Sequence, residues 1–555
     1  MLVSFSSVLR RSGMDIADVA AEFGASAEMV RQWEVGELRA PDRIFRTLSM
    51  LADFAPNTEE ALIDLPVAAK SSFPKVWSPA SIATDDRKRK SSLGQFLTPP
   101  GIAKFMAGLL DFSDRRDVRL LDAGAGQGGL TKATVEKWKT AEMQGTLSAC
   151  AYELDEAILP ELRSTLSGLS ADNVRTELIA GDFIGLTARD VRLGSAPRFS
   201  HAILNPPYKK IANASSHRGF LRLAGLETVN LYSGFVGLAL EMLEQGGELV
   251  AIIPRSFCNG PYYQPFRRWI FARAAIRRIH LFGSRNSAFK SDGVLQENVI
   301  IHLKRGAPQS GVIISTSEDG GFGDFTEHTF PFDKIVFPDD AEQFIHIPSD
   351  NDDKLLATPA FRFSLVEIGV DVSTGPVVDF RLREDLRADP QVDTVPLLYP
   401  GHFKNGELCW PKPGFKKANA IVRRMATEKW LYPGGYYAVV RRFSSKEEQR
   451  RVVANVVDPK LARGDMIGFE NHLNVFHARR QPLTEAIARG LSAYLNSTPV
   501  DRYFRRFNGH TQVNATDLRA MRYPSREALE ALGAWAACAG IPTQASIDAQ
   551  VEKLT

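Results

Sequence analysis

Asn205, Pro206, Pro207 and Tyr208 follow a short apolar run that ends at Leu204, and their types and spacing could do chemistry together. Proline lacks a backbone N–H and has a fixed φ, so the pair predicts that a strand ends at Leu204 and that a rigid turn follows. The Asn205 amide oxygen and the Pro206 carbonyl can both accept hydrogen bonds from one amino group. The ring of Tyr208 offers a face on which a planar group can stack. Because the prolines hold the acceptors in place before a substrate arrives, the turn predicts a catalytic site.

A second motif, a glycine-rich turn, follows the apolar run "VRLLDA". Gly124, Gly126 and Gly129 fit the pattern G-x-G-x-x-G, which nicotinamide, flavin and S-adenosylmethionine enzymes share. Two acids favour S-adenosylmethionine. Asp122 precedes the turn, where its carboxylate could meet the cationic methionine amine. Glu153 ends the second predicted strand, where it could accept hydrogen bonds from both ribose hydroxyls.

Other polar residues stand at the ends of the predicted helix and strands. Asp182 and Phe183 end the third predicted strand, where the carboxylate can accept a hydrogen bond from a cofactor's adenine and the ring can lie beside the base. The alternative is an aspartate that only starts a turn. Glu142 is the other acid that could be assigned to the ribose contact, but it falls at the predicted end of the first helix. Asn205 ends the fourth strand and is a further candidate for cofactor contact.

These motifs need elements that bring strand ends together. Apolar strands alternate with helical stretches through the centre of the chain, which predicts an α/β fold with a doubly wound, Rossmann-like sheet. Ligands of such sheets lie at the carboxyl ends of the strands, where each motif falls. The chain divides into a small all-α helix-turn-helix-like domain at 1–55, a linker with a basic cluster at 56–90, the catalytic domain at 91–306, and a mixed α/β domain at 307–555.

Composition excludes several classes of protein. The net charge of +3 is near neutral, so nucleic-acid binding would need local basic patches. The four cysteines form no CxxC pair, which argues against a zinc ribbon or a disulfide framework, and we expect no metal site. No apolar run approaches the length of a membrane span, and the N-terminus lacks the order of a signal peptide. We therefore expect a cytoplasmic protein without a membrane partner.

The N-terminal segment predicts two short helices around a tight turn. The apolar residues from Ile16 to Phe23 have helical spacing, Ser26 can cap a second helix, and Val30 and Trp33 give that helix a buried face. The stretch "MVRQWEVGE" resembles the end of the recognition helix in repressor-like domains, so the residues predicted to face a DNA major groove are Ala27, Glu28, Arg31 and Gln32. The alternative is a helical bundle that docks on its own chain or on a partner.

The order of the central motifs carries a family resemblance. Asp122 with the glycine turn, then "YELD", "GDF" and "NPPY", resemble the DNA amino-methyltransferases that use S-adenosylmethionine. Upstream, "SLGQFLTPPGIAKFMAGLL" resembles the motif that precedes the cofactor loop in the γ group of adenine-N6 enzymes. The strings "NPPYKKI", "NLYSGFV", "GELVAIIPRSFCNGPYYQPFR" and "FNGHTQVNATDLR" are similar to those of BsuBI/PstI-type, Eco57I-like modification methylases. The resemblance covers roughly Ser91 to Pro524.

The resemblance implies a site-specific DNA adenine-N6 methyltransferase, with S-adenosylmethionine as cofactor and no metal. The target adenine is flipped out of the duplex and stacks on Tyr208, with Phe289 as candidate for its opposite face. Its N6 nitrogen, bound by Asn205 and Pro206, attacks the sulfonium methyl group. The residues implied to close over the methionine are Phe96, Thr98 and Pro99.

The resemblance also implies partners. We expect double-stranded DNA, a monomer or dimer near the bacterial nucleoid, and either a cognate restriction endonuclease or an orphan methylase. A CTGCAG-like recognition sequence is implied. Basic and amide residues that could contact phosphate or base edges are Lys209, Lys416, Lys417, Arg423, Arg424, Arg441, Arg442, Arg505, Arg506, Asn508, His510, Thr511 and Gln512, with Arg31 and Gln32 in the N-terminal segment.

Two other functions fit parts of the sequence. Enzymes that methylate protein glutamine or guanine N2 of RNA also use Asn-Pro-Pro-Tyr-like turns, although "GQFLTPP" and the large C-terminal domain count against them. A transcriptional regulator could use the helix-turn-helix and keep a cofactor-binding domain as a sensor. Intact Asn205, Tyr208 and Asp122 argue against lost catalysis.

Overall fold

The computed structural model describes residues 26–35 and 97–554, without 143, 213–214, 284–296, 349–357, 405, 445–447, 510 and 541, and also the single helical residues 6, 9 and 16. The predicted linker at 56–90 and three of the predicted site residues, Phe96, Phe289 and His510, lie outside the described residues.

A nine-stranded sheet forms the centre of the molecule. Its strands are β1 (Asp117–Ala123), β2 (Thr146–Glu153), β3 (Val174–Ala180), β4 (Phe199–Leu204), β5 (Leu243–Pro254), β6 (Ala274–Phe282), β7 (Asn298–Arg305), β8 (Val312–Ser317) and β9 (Thr326–Phe330). Their order in the sheet is β3-β2-β1-β4-β5-β7-β6-β8-β9. The first five strands are parallel, and β7 runs antiparallel between β5 and β6.

Helices cover both faces of this sheet, as the sequence predicted. They are α2 (Pro100–Leu109), α3 (Gly129–Thr140), α4 (Leu159–Leu169), α5 (Phe183–Leu193), α6 (Ser216–Leu223), α7 (Leu231–Met242) and α8 (Gln264–Phe271), after an N-terminal α1 (Ala27–Val35). Strand β5 shows why two layers are needed. Its residues Leu249, Ala251 and Ile253 belong to one apolar core, while Val250 and Ile252 belong to another. A strand buried on both faces is typical of a doubly wound sheet, and the predicted fold class is confirmed.

The sheet continues past residue 306, where the sequence placed the end of the catalytic domain. Strand β8 pairs in parallel with β6, and β9 pairs antiparallel with β8 at the edge. The residues of β9 from Thr326 to Thr329 are exposed. An edge strand that buries one residue has no apolar alternation, which is why the sequence pattern did not show it.

The C-terminal part is mixed α/β, as predicted. After α9 (Phe332–Ile335) come the strands β10 (Asp371–Thr374), β11 (Leu386–Arg387), β12 (Thr394–Leu398), β13 (Phe403–Lys404), β14 (Glu407–Leu408), β15 (Ala420–Val422), β16 (Leu431–Pro433), β17 (Tyr437–Arg441), β18 (Ala454–Val457), β19 (Met466–Phe469) and β20 (Leu473–His477), with α10 (Met425–Glu428) between β15 and β16. They form sheets in the orders β10-β20-β17-β18 and β11-β15-β12-β19-β16, and the hairpin β13-β14. The helices that follow are α11 (Glu485–Leu495), α12 (Thr498–Phe507), α13 (Ala515–Ala520), α14 (Arg526–Cys538) and α15 (Gln544–Glu552).

Helix α1 corresponds to the predicted second N-terminal helix. The Ser26 hydroxyl accepts a hydrogen bond from the Met29 N–H at 3.2 Å, which is the expected cap. Val30 and Trp33 are buried, and both belong to the same apolar core as residues of the central sheet. The buried face of α1 therefore docks on its own chain. Within the described ranges, no helix is long and apolar enough to span a membrane.

Candidate active site

The Asn-Pro-Pro-Tyr turn starts directly after β4 and holds the Asn205 amide in one orientation. The amide nitrogen donates to the Thr98 hydroxyl at 2.9 Å, just before α2. The amide oxygen lies on the other side, where it accepts from the Tyr208 hydroxyl at 3.2 Å. That hydroxyl also lies 3.1 Å from the Ile252 carbonyl of β5. Burial raises the pKa of Tyr208, so the phenol stays protonated and acts as a donor.

A cavity of about 170 Å³ opens beside this turn, at the carboxyl ends of β1 to β4. Its lining includes Leu97, Gly124, Gly126, Tyr152, Glu153, Asp182, Phe183, Asn205, Pro207, Lys209, His217 and Phe235. The glycine turn shapes one wall. Gly124 has φ +80, and a Cβ placed there would lie 3.6 Å from the Phe235 ring and 3.9 Å from the Asn205 carbonyl oxygen. A side chain at 124 would therefore take up cavity space and strain the backbone.

Two carboxylates of the cavity are held firmly by backbone N–H groups. Glu153 is 3% exposed, and its oxygens accept from Gly126 N at 2.8 Å and Asp155 N at 2.7 Å. Asp182 caps α5, accepting from Ile184 N at 3.2 Å and Gly185 N at 3.3 Å. Each carboxylate oxygen can accept more than one hydrogen bond, so both groups can also receive donors from a ligand.

The aromatic wall and one unpredicted residue complete the cavity. The buried ring of Phe183 lies 5.1 Å from the rings of Tyr152 and Phe235. His217 of α6 places its Nε2 2.8 Å from an Asp182 oxygen. The sequence analysis missed His217, because its local sequence gives no sign of which strand end α6 reaches. An adenosine fits this set of acceptors: a ribose diol against Glu153, an amino group against Asp182, and apolar walls for a base. These residues therefore fit S-adenosylmethionine.

Asp122 does not line the cavity, contrary to our expectation. It is fully buried behind the glycine turn, where one oxygen accepts from the Thr131 N–H at 3.2 Å and the Thr131 hydroxyl at 2.7 Å. Its other oxygen, Oδ1, has no hydrogen-bond partner within the described part of the chain. The pKa of this carboxyl is raised to about 7, and burial is the largest cause. In this geometry Asp122 anchors the first turn of α3 to the glycine loop.

The predicted lid residues have other contacts. Thr98 holds the Asn205 amide, and Pro99 precedes α2, but neither lines the cavity. Leu97 does, so the segment before α2 still contributes one apolar side chain.

On the other side of Tyr208 lies a larger cleft of about 920 Å³, between the catalytic and C-terminal parts. Its lining includes Tyr208, Lys210, Arg218, Asn230, Tyr232, Tyr263, Ser373, Thr374, Arg442, Gly509, Thr511, Gln512 and Arg519. Arg442, Thr511 and Gln512 are thus brought together with Tyr208, as expected for DNA contacts. Lys209 instead lines the first cavity, and its neighbour Lys210 faces the cleft.

Other predicted DNA contacts are occupied within the chain. Arg506 and Asn508 are buried, which corrects their assignment as DNA contacts. Within the described residues, ion pairs join Lys417 to Asp379, Arg423 to Asp465, Arg424 to Asp385, Arg441 to Glu448, Arg505 to Asp501 and Arg31 to Glu28. Gln32 is half-buried and Lys416 exposed, and neither lines the cleft. Roles in DNA binding for these paired and outlying residues remain predictions. Within the described residues there is no cluster of metal-ligating side chains.

The doubly wound sheet, the glycine turn and the acceptors for an adenosine are those expected of an S-adenosylmethionine-dependent methyltransferase. Comparisons with known proteins agree. Residues 163–289 match the family described as Eco57I restriction-modification methylase. The chain is 50% identical over 457 residues to the type II methyltransferase M.BsuBI of Bacillus subtilis, covering 81% of this chain and 91% of that protein. It is 41% identical over 481 residues to the type II methyltransferase M.PstI of Providencia stuartii, covering 85% and 94%.

The chain therefore belongs to the BsuBI/PstI type of restriction–modification methyltransferases. It is a DNA methyltransferase, and S-adenosylmethionine is its cofactor. Solved structures are more distant. The type IIL restriction-modification enzyme MmeI in complex with DNA has a TM-score of 0.47 at 11% identity, covering 85% of this chain and 71% of the other.

Proposed function

We propose that this protein methylates the N6 nitrogen of an adenine at a specific site in double-stranded DNA, with the adenine flipped out of the helix. One observation carries the proposal: the Asn205–Tyr208 turn is the wall between the two cavities. Asn205 and Pro207 line the smaller one, and Tyr208 lines the cleft. A group bound in the cleft would therefore meet a methyl donor at this turn.

The turn's own residues supply the acceptors. The Asn205 amide oxygen and the Pro206 carbonyl accept the two hydrogens of the adenine amino group, which localises the nitrogen lone pair. Thr98 keeps the amide from rotating. The Tyr208 hydroxyl can shift its donation to Ile252 when the substrate arrives, which frees the Asn205 oxygen. When bound, S-adenosylmethionine supplies the electrophilic methyl group.

Cofactor orientation follows from the smaller cavity. Glu153 accepts the ribose hydroxyls, and Asp182, steadied by His217, accepts the cofactor's adenine amino group. Phe183 packs beside the base. Asn205 closes the methionine end.

DNA binding follows from the cleft. Lys210 and Arg442 contact phosphate, Thr511 and Gln512 reach base edges, and Tyr208 stacks on the flipped adenine. A cognate restriction endonuclease on a separate chain is part of this proposal, because the relatives belong to restriction–modification systems.

Mass spectrometry of nucleosides tests the proposal. Unmodified plasmid is incubated with protein and S-adenosylmethionine carrying a deuterated methyl group, then digested. We expect labelled N6-methyladenine with the wild type, and a loss of about 100-fold or more with Asn205→Ala, since its preorganised acceptor is gone. Asn173→Ala, at an exposed turn, is the matched control and should stay active. Labelled N4-methylcytosine, or an active Asn205→Ala variant, would contradict the proposal.

A further inference from the structure

A buried polar network joins the segment after β5 to residues 508–509 and 511–514, several of which line the cleft. On the catalytic side, Asn259 is fully buried and donates from its amide nitrogen to Asp517 at 3.1 Å. Its amide oxygen accepts from the Gly509 N–H at 3.3 Å. Arg255 is also buried and donates to the carbonyls of Arg505 and Arg506 at 3.0 and 2.7 Å.

Asp517 is the centre of the network on the C-terminal side. Its Oδ2 accepts from the Asn508 amide at 3.0 Å and from the Asn514 N–H at 2.9 Å. The Asn508 nitrogen also donates to the Gln512 carbonyl at 3.0 Å, and Arg451 donates to the Asn508 oxygen at 2.7 Å. Asn508 and Asn514 therefore both hydrogen-bond to one carboxylate, to which Asn259 of the catalytic domain also donates.

Strand β5, which directly precedes Arg255, also holds the ring of Tyr208. Ile252 of β5 accepts from the Tyr208 hydroxyl, and Arg255 and Asn259 follow three and seven residues later. The path from Tyr208 to Gln512 thus runs through the end of β5, the short helical turn that follows it and a few direct hydrogen bonds. Buried hydrogen-bond networks of this kind favour one geometry, because a shift leaves further desolvated polar groups without partners.

We propose that Asn259 and Arg255 are positioning residues that fix residues 508–509 and 511–514 relative to Tyr208, so that the residues that read the bases keep a constant position relative to the site of methyl transfer. This inference rests on the proposed use of the cleft for DNA. It predicts that loosening the network lowers discrimination between the preferred DNA site and sites that differ by one base, while cofactor binding is retained.

An exchange of partners tests it. In Asn259→Asp, the new carboxylate faces the Asp517 carboxylate, and neither can donate a hydrogen bond. In Asp517→Asn, the new amide N–H group faces the Asn259 amide N–H group, and neither can accept one. In the double variant, the new carboxylate at position 259 can accept from Gly509 and from the new amide at position 517. The oxygen of that amide faces Asn508 and Asn514, so every hydrogen bond can re-form.

The matched control is Asp548→Asn. The Asp548 carboxylate accepts from Thr498 N at 2.8 Å and from the Thr498 hydroxyl at 2.6 Å, away from the cleft. This variant therefore removes a carboxylate that is hydrogen-bonded to a helix start without touching the network.

The readout is single-molecule sequencing of a methylated plasmid library, scored as the ratio of methylation at the preferred site to methylation at sites with one base changed. Each single variant should lower this ratio about tenfold, which is the scale of one mismatched base pair. The double variant should restore it, and Asp548→Asn should leave it unchanged. The dissociation constant for S-adenosylmethionine and the unfolding midpoint are measured for every variant.

Unchanged ratios in the folded single variants would overturn the inference, since a merely structural role slows all sites equally. A folded double variant that stays indiscriminate would also overturn it. If Asn259→Asp does not fold, Asp517→Asn, which adds no charge, and the double variant carry the same comparison. Wild-type methylation of cytosine would defeat the adenine assignment and leave this ratio measurable, so the two failures are distinguishable.

Discussion

At the scale of single residues, the site depends on which oxygen faces which cavity. The Asn205 amide is fixed by one donor and one acceptor, Tyr208 and Thr98, so its orientation does not depend on a bound ligand. Asp122 differs. It is fully buried, and both this burial and the negative charge of Glu153 raise its pKa. Its place behind the turn makes it a structural group with an unusual titration.

Asp122→Asn should change how stability depends on pH. The folded carboxyl has a pKa of about 7 against an ordinary value of 3.8, so the folded state holds an extra proton between these values. The wild type's free energy of unfolding then falls as pH rises from about 4 to about 7, by up to about 1.4 kcal/mol per pH unit, and this contribution is absent in the variant.

Urea unfolding of cofactor-free protein at about pH 5.5 and about pH 7.5 measures this effect. Asp172→Asn, at an exposed turn, controls for the loss of one carboxyl. If the free energies of unfolding of the wild type and of Asp122→Asn change in parallel with pH, Asp122 titrates normally and the prediction is wrong.

At the scale of elements, the glycine turn between β1 and α3 borders the smaller cavity, which we propose holds the cofactor. Gly124 and Gly194 both have left-handed φ, +80 and +72, so alanine strains each by about 1 kcal/mol. A Cβ at 124 enters the cavity wall, whereas a Cβ at 194 meets nothing within 4 Å. We expect both alanine variants to lose similar stability, and only Gly124→Ala to lose affinity for S-adenosylmethionine.

Calorimetric titration with the cofactor, beside denaturant unfolding, separates the two effects. Equal cofactor affinities in the two variants would mean that the turn does not border the cofactor.

Sequence patterns predicted the elements that carry long apolar runs. Strands β1 to β4 were foreseen, because each is an apolar run that ends at one of the polar motifs. Strands such as β11 and β13, with two residues each, are too short to show any period. Their positions depend on pairing with distant strands, which no local window contains.

At the scale of the whole molecule, the site lies between two parts of the chain that are far apart in sequence. The segment after Tyr208 has one lysine on each side: Lys209 lines the smaller cavity, and Lys210 lines the cleft. Which way each lysine faces follows from the pairing of this segment with residues 229–231, in which the Ile211 N–H donates to Val229 and the Leu231 N–H to Lys209.

Substitutions of the two lysines should therefore affect different ligands in a binding experiment. Lys210→Ala should weaken DNA binding and lower the slope of log affinity against log salt by about 0.9, the loss of one phosphate contact. Lys209→Ala should keep that slope and change cofactor affinity. Fluorescence anisotropy across a salt series measures both, and a reduced slope for Lys209→Ala would contradict the assignment.

Long-range packing also explains which site residues the sequence could not place. Asp182, Phe183 and Glu153 were foreseen at the cavity, because strand ends of one sheet share an edge. The burial of Arg506 and Asn508 was not foreseen, because it depends on contacts with residues more than fifty positions away in sequence, such as Arg255 and Arg451. A basic or amide side chain looks the same in sequence whether it meets DNA or its own chain.

The most direct test is a structure of the protein with a non-reactive S-adenosylmethionine analogue and DNA that contains its methylation site. We expect the analogue's ribose at Glu153, and a flipped adenine on Tyr208 with N6 in hydrogen-bonding reach of the Asn205 oxygen and the Pro206 carbonyl. A target base that stays stacked in the duplex, or one that is extruded away from this turn, would contradict it.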